Sequence, residues 1–195
     1  QLLQQHHRNA AIAQVIVDIP NRNLFERTAD VGFLATDVDL TNYLSQLSRS
    51  DYERSEIQAR LQEYAAKYTV YDDILLIDVN GDVTAQLDTL NPVTDTADPI
   101  ISEVLKGSEP YYELCRYSCL RPNQPLSSLF LAPIRAPEQD GGHILGVLCL
   151  SFKLEDEMAA LFGDLGQNNQ AILALLDNKE NVLVSSQPHL LAKDT

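Results

Sequence analysis

The sequence predicts an α+β fold, in which long N-terminal helices pack on an antiparallel sheet of about five strands and the start of a second such unit follows. Three observations carry this expectation. Roughly the first third of the chain has helical apolar spacing and precedes any strand. The stretch ILLIDVNGDVTAQLD at 74–88 has the form of a complete β-hairpin. That pattern returns as ILALLDNKENVLVSS at 172–186, where Asp177 aligns with Asp78 and Val182 with Val83.

Taken in order, residues 1–19 are helix formers with apolar side chains at Leu2, Leu3, Ala10, Ile12, Ala13, Ile16 and Val17. Pro20-Asn21 is expected to stop or kink that helix. Leu24, Thr28, Val31, Ala35 and Val38 follow at spacings of four and three, which places them on one face of a second helical segment. Asp39 is a candidate cap for a short helix holding Leu40, Tyr43, Leu44 and Leu47. Ser50-Asp51-Tyr52-Glu53 has the form of a capping box, opening a helix over 51–68 with Ile57, Leu61, Tyr64, Ala65 and Tyr68 inward.

The hairpin comes next. Ile74–Ile77 suits a strand buried on both faces, whereas Val83, Ala85 and Leu87 alternate with Thr84, Gln86 and Asp88 as in a strand with one wet face. Asn80-Gly81 supplies the left-handed backbone of a tight turn. Pro99–Lys106 has the pattern of a short helix ended by Gly107. Tyr111–Leu120 is an aromatic-rich strand or a strand with an irregular exit, broken by Arg121-Pro122-Asn123-Gln124-Pro125. Ser128–Arg135 and His143–Phe152 form an antiparallel pair, and Glu155–Leu165 a helix closed by Gly166. The resulting division is a helical segment at 1–70, a sheet domain at 71–166, and the beginning of a second domain at 167–195. The bland alternative is that any two hairpins look alike.

Composition narrows the function. Hydrophobic residues make up 45% of the 195 and charged residues 22%, with five Phe and eight Tyr, enough for an ordinary core. Lys and Arg number 14 against 28 Asp and Glu, a formal net charge of −14 that repels nucleic-acid phosphates and anionic lipid heads. No apolar run is long enough to cross a bilayer and no signal peptide is visible, so an anchor of a membrane-bound parent would lie outside this sequence. No G-x-S-x-G, H-E-x-x-H, Walker loop or dinucleotide fingerprint occurs, which leaves catalysis and a bound cofactor without support.

Long N-terminal helices, the hairpin ILLIDVNGDVTAQ, a strand ending in proline as in LFLAPI, and LGVLCLSFKLEDE leading into a helix together resemble a Cache domain. That family is the PAS-like, extracytoplasmic sensor module of bacterial receptors, and the second hairpin sits where a double-Cache sensor begins its membrane-proximal domain. The resemblance implies a periplasmic input domain of a membrane-anchored histidine kinase, chemoreceptor or diguanylate cyclase. It implies capture of a small molecule by the distal domain, with any catalytic output outside this chain. In many amino-acid-binding members an Arg and a Trp near the middle strand hold the ligand carboxylate, and an Asp on the last strand holds the amine. This chain has no Trp, and Ser151 stands at the position that would align with that Asp, so the amino-acid site is not carried over.

Candidates for ligand binding therefore come from position and chemistry. Tyr111, Tyr112, Arg116, Tyr117 and Arg121 cluster in an otherwise acidic chain, with Ser128, Phe130 and Ser151 on strands expected beside them. Arg offers a planar fork for a carboxylate or phosphate and Tyr a face and a hydroxyl, a set that suits a small organic anion. The bland alternative is that the tyrosines are packing and the arginines pair with Glu109 and Glu113. For a cationic or neutral ligand, carboxylates such as Asp72 and Asp73 would replace the arginines.

Cys115 and Cys119 would lie about 13 Å apart in a continuous strand, beyond the ~7 Å reach of a disulfide, unless a turn or bulge joins them. Cys149, in a run of Leu and Val, is expected to be a small buried apolar residue. His6, His7, His143 and His189 are too scattered for a metal site. The stripe at Leu24, Val31, Ala35 and Val38 is expected to support a weak parallel homodimer. The competing function is a ligand-free dimerisation or interaction module, and an open pocket with converging polar groups near Tyr112 and Arg116 would favour the sensor.

Overall fold

A computed structural model describes residues 2–169, 172–176, 179 and 182–187, with side chains for all of these but 2–13, 16 and 164–169. The elements run α1 (Leu2–Leu34), α2 (Val38–Ser45), α3 (Asp51–Lys67), β1 (Tyr71–Asp78), β2 (Val83–Gln86), α4 (Pro99–Lys106), β3 (Tyr112–Arg116), β4 (Ser127–Arg135), β5 (Ile144–Phe152), α5 (Leu154–Asn169), β6 (Ala174–Leu176) and β7 (Val182–Ser185). The first five strands make one antiparallel sheet in the order β2-β1-β5-β4-β3, and β6 and β7 make a separate hairpin. This is the expected α+β arrangement. The second hairpin forms, although Asp177 of the aligned pair lies outside the described residues.

Each face of the large sheet has its own core. On one side Ile74, Leu76, Phe130, Ala132, Leu148, Leu150 and Phe152 meet α1, α2, α3 and α5 through Val31, Leu40, Leu61 and Phe162. On the other, Leu75, Ile77, Leu129, Leu131, Val147 and Cys149 meet α4 through Ile100, Ile101 and Val104. Ile74–Ile77 are all fully buried, because β1 is central and covered on both sides. Pro133 is tolerated inside β4 because the pairing with β3 ends at Leu131, so the missing N–H opposes no β3 carbonyl.

Several local expectations are corrected. The first helix does not stop at Pro20 but runs through it to Leu34, and Pro20 is buried. The ring's fixed φ is helical, and tertiary contacts further along α1 offset the hydrogen bond lost to Ile16. Val38 leaves the apolar stripe because α1 has already ended, and it is exposed at the start of α2. The cap of α2 is Asp37, not Asp39: its carboxylate accepts from the Asp39 and Leu40 N–H groups and also pairs with Arg60 at 2.6 Å. Leu47 lies beyond α2 and is exposed. Gly166 does not close α5, which continues to Asn169.

The capping box at Ser50 and Glu53 forms as expected. At the hairpin Gly81 adopts φ 90°, while Asp78 organises the turn by accepting from the N–H groups of Asn80 and Asp82. Gln86, expected on a wet face, is buried instead, because the loop after β2 folds over it and its amide bonds to that loop. The stripe residues Val31 and Ala35 are spent on this chain's own sheet, so they offer nothing to a second copy.

Candidate functional site

The α4 face of the sheet collects the polar groups. Asp98 caps α4 through the Ile100 N–H, and its two oxygens receive Arg116 Nη2 at 2.8 Å and Nη1 at 2.9 Å. Ser118 Oγ adds a third donor at 2.7 Å. Burial pushes the Asp98 pKa up, but the Arg116 and Ser118 hydrogen bonds outweigh it and hold the carboxyl below its ordinary value. This pair ties the exit of β3 to the start of α4.

A second cluster forms around Asp73, which is fully buried on β1. Its carboxylate accepts from the N–H groups of Ile74 and Asp88, each at 2.9 Å, from Gln86 Nε2 at 2.8 Å and from Arg121 Nη1 at 2.6 Å. Burial raises the Asp73 pKa against the pull of these donors. Arg121 also reaches Asp72 at 3.3 Å and Asp88 at 3.8 Å. Ser151, on β5, is the direct cross-strand partner of Asp73 and so shares its face.

This second cluster is incompletely satisfied. Among the described residues Ser151 Oγ, Asp72 Oδ1 and Arg121 Nε are buried without a hydrogen-bond partner, as is Ser127 Oγ on β4, two positions before the Leu129 that pairs with Ser151. Orphaned buried polar atoms cost stability, and several in one place call for an explanation. Of these residues Asp72 alone lines a pocket of about 160 Å³, together with Gln124, Phe152, Lys153, Glu155 and Asp156 among others.

The structure thus joins two of the expected site residues, Arg121 and Ser151, around Asp73. It separates the rest. Tyr111 and Tyr117 are exposed, and Arg116 is half-exposed on Asp98. Tyr112 is half-buried, with its hydroxyl resting on Gly107 where a Cβ would be. Ser128 and Phe130 are buried but lie on the opposite face, toward α1, because adjacent strand positions alternate. The arginines pair with Asp98 and with Asp72, Asp73 and Asp88, not with Glu109 and Glu113. Ser127 and Gln86 were not legible as site residues: one looks like any strand-edge serine and the other like a solvent-facing strand residue.

None of the three cysteines forms a disulfide; Cys115 is exposed, Cys119 half-buried and Cys149 buried. Burial raises the Cys119 thiol above its ordinary pKa and Cys149 much further.

The fold as a whole has counterparts among solved structures. It superposes on the sensor domain of the V. cholerae histidine kinase DctB with a TM-score of 0.70 at 15% identity, covering 93% of this chain and 67% of that one. The chain has the fold of a bacterial sensor domain. The ligand-binding domain of the Pseudomonas aeruginosa amino-acid chemoreceptor PctC, solved with GABA, matches at 0.60 and 16% identity over 90% of this chain and 72% of that one. The periplasmic domain of Vibrio cholerae LuxQ matches at 0.53 and 12% identity over 90% and 76%. No protein-family model matches the sequence, and no curated protein does. Among the described residues no helix of this sensor fold is long and apolar enough to cross a membrane.

Proposed function

We propose that this chain is the extracytoplasmic small-molecule sensing domain of a bacterial signal-transduction receptor, with a histidine kinase, chemoreceptor or diguanylate cyclase as output. The observation that carries the reading is the buried, incompletely satisfied polar cluster at Asp73, Arg121 and Ser151 on a sensor fold, with the unpartnered Ser127 hydroxyl on β4. A sheet that served only to shape the molecule would gain by making these positions apolar. The ligand site is centred on Arg121 and Ser151, with Arg116 and Tyr112 positioning the loop from β3 to β4. Residues 71–166 form the distal sensing domain, and the hairpin of β6 and β7 opens a membrane-proximal one. Exposed Phe25 and Phe33 on α1 supply the face for a weak homodimer that membrane tethering would strengthen.

A thermal-shift screen of small organic acids, amines and amino acids tests this. A compound that raises Tm in the natural sequence and does so less in Ser151→Ala or Ser127→Ala supports the reading. If no compound of any charge stabilises the protein while it sediments as a dimer, the domain is a ligand-free interaction module instead.

A further inference from the structure

We infer that Arg121 is a tethered stand-in for the ligand: its guanidinium occupies the place that an ammonium group of a ligand takes beside Asp73. This rests on the reading of the Asp73 cluster as the sensing site. It reverses the charge of the ligand that the arginines alone would call for.

The charge balance of the cluster favours a cation. One guanidinium faces three carboxylates, Asp73 at 2.6 Å, Asp72 at 3.3 Å and Asp88 at 3.8 Å, and among the described residues no other Arg or Lys pairs with them. An incoming anion would add a further negative charge to a place that already has an excess of them. An incoming cation would be welcome.

The site also survives the departure of Arg121. Three of the four donors to Asp73 come from the Ile74 and Asp88 N–H groups and Gln86, none of which depends on the arginine. Asp73 therefore stays in place, preorganised for a different cation. An ammonium group carries three donors, and acceptors are at hand in Asp73 and in the orphaned Asp72 Oδ1 and Ser151 Oγ. Arg121 meets these needs poorly, since its own Nε–H is left without a partner.

Arg121 lies outside the sheet, in a connection that turns twice, with Arg121 N–H bonded to Ser118 and Gln124 N–H to Arg121. It can leave Asp73 without breaking a strand ladder. The same connection carries Ser118, which is bonded to Asp98 at the start of α4, so displacing Arg121 pulls on α4. A ligand that prefers the displaced state would shift the population of the two arrangements. Asp72 is shared with a small pocket whose charged lining is Asp72, Glu155, Asp156 and Lys153, a net negative surround that favours a compact amine over an anion.

The test is calorimetric titration at fixed ionic strength with ethylammonium and 1,4-diaminobutane, with acetate and succinate as the anionic comparison. The natural sequence is expected to bind an ammonium probe, and Arg121→Gln, which removes the internal competitor, to bind it at least tenfold more tightly. Adding Asp73→Asn to that variant should abolish the gain. Should Arg121→Gln not fold by circular dichroism, Arg121→Lys serves, because a lysine cannot span the three carboxylates and competes less well. Unchanged or weaker ammonium binding in the variant that folds overturns the inference. Succinate binding that is lost in that variant also overturns it, while leaving the sensing function intact; binding of no probe of either charge removes the sensing reading of this cluster as well.

Discussion

The guanidinium of Arg27 lies 5.5 Å from the centre of the Tyr71 ring, and both side chains bind the same carboxylate, that of Asp30. The Tyr71 hydroxyl donates to Asp30 at 2.6 Å and Arg27 Nε sits 3.2 Å from it, so a residue of β1 is fixed to α1 by a charged and nearly dry contact. Arg27 also lies 5.6 Å from the Phe152 ring on β5. This is the polar link between the sheet that would sense and the long helix that would carry the response.

Removing the Tyr71 hydroxyl in Tyr71→Phe takes a hydrogen bond from a charged group and should cost about 1.5 to 3 kcal/mol. Arg27→Ala should cost more, about 3 to 5 kcal/mol, because it leaves Asp30 uncompensated and uncovers two rings. Urea unfolding of the two variants checks the order. A smaller loss for Arg27→Ala than for Tyr71→Phe would mean that apolar contacts alone hold α1.

Acid stability should depend on Asp98. Its pKa is depressed in the folded protein, so it contributes stability that is present above the unfolded value near 3.8 and is lost as pH falls through the folded value. Asp88, also depressed, chiefly by Asn91, acts with the same sign. Asp73 acts with the opposite sign: its raised pKa favours the fold below the unfolded value, and that advantage is lost as pH rises through the folded one. Asp98→Asn should therefore unfold more easily at neutral pH yet show a shallower loss of stability below pH about 4. An acid limb as steep as that of the natural sequence would show that other carboxylates control it.

Much of the fold was legible because periodicity and caps are local. The capping box at Ser50, the helix over Pro99–Lys106 and the doubly buried run Ile74–Ile77 all follow from residues within a few positions of one another. The errors arose where distant contacts override a local signal, as when α1 continues through Pro20. The site was only half legible. Arg121 stands out in an acidic chain, but its partner Asp73 is 48 residues away, and Ser151 faces Asp73 only through the β1–β5 register. Nothing local marks Ser127 or Gln86, and the face on which Phe130 and Ser128 fall depends on a register that the sequence alone leaves open.

The thiols should differ sharply in reactivity. Cys115 is exposed on β3, Cys119 is half-buried with a raised pKa, and Cys149 is enclosed with its pKa raised much further. Since the thiolate is the reacting species, a maleimide at pH 7.5 should label Cys115 first, Cys119 more slowly, and Cys149 only after denaturation. Mass spectrometry of peptides from a time course resolves the three. Labelling of Cys149 in the native protein at the rate of Cys119 would contradict its enclosure in the core beneath α4.

Two glycines should respond in opposite ways to the same added methyl group. Gly146 lies on β5, where a Cβ would come within 2.3 Å of the Ile77 carbonyl oxygen and 2.9 Å of Leu44 Cδ1. The leucine end can shift, but the carbonyl belongs to the β1–β5 ladder, so Gly146→Ala must push two central strands apart. Overpacking of this kind should destabilise by about 1 to 3 kcal/mol, at the upper end because backbone has to move. Gly163 lies inside α5, and among the described residues a Cβ there would meet nothing within 4 Å beyond its own helix. Gly163→Ala should stabilise by about 0.5 to 1 kcal/mol, since alanine restricts the unfolded chain and glycine is a poor helix former. Thermal unfolding of both variants beside the natural sequence decides it: Tm should fall for the first and rise for the second. A rise for Gly146→Ala would mean that β1 and β5 do not approach at that point, and the register that brings Ser151 to Asp73 would fall with it.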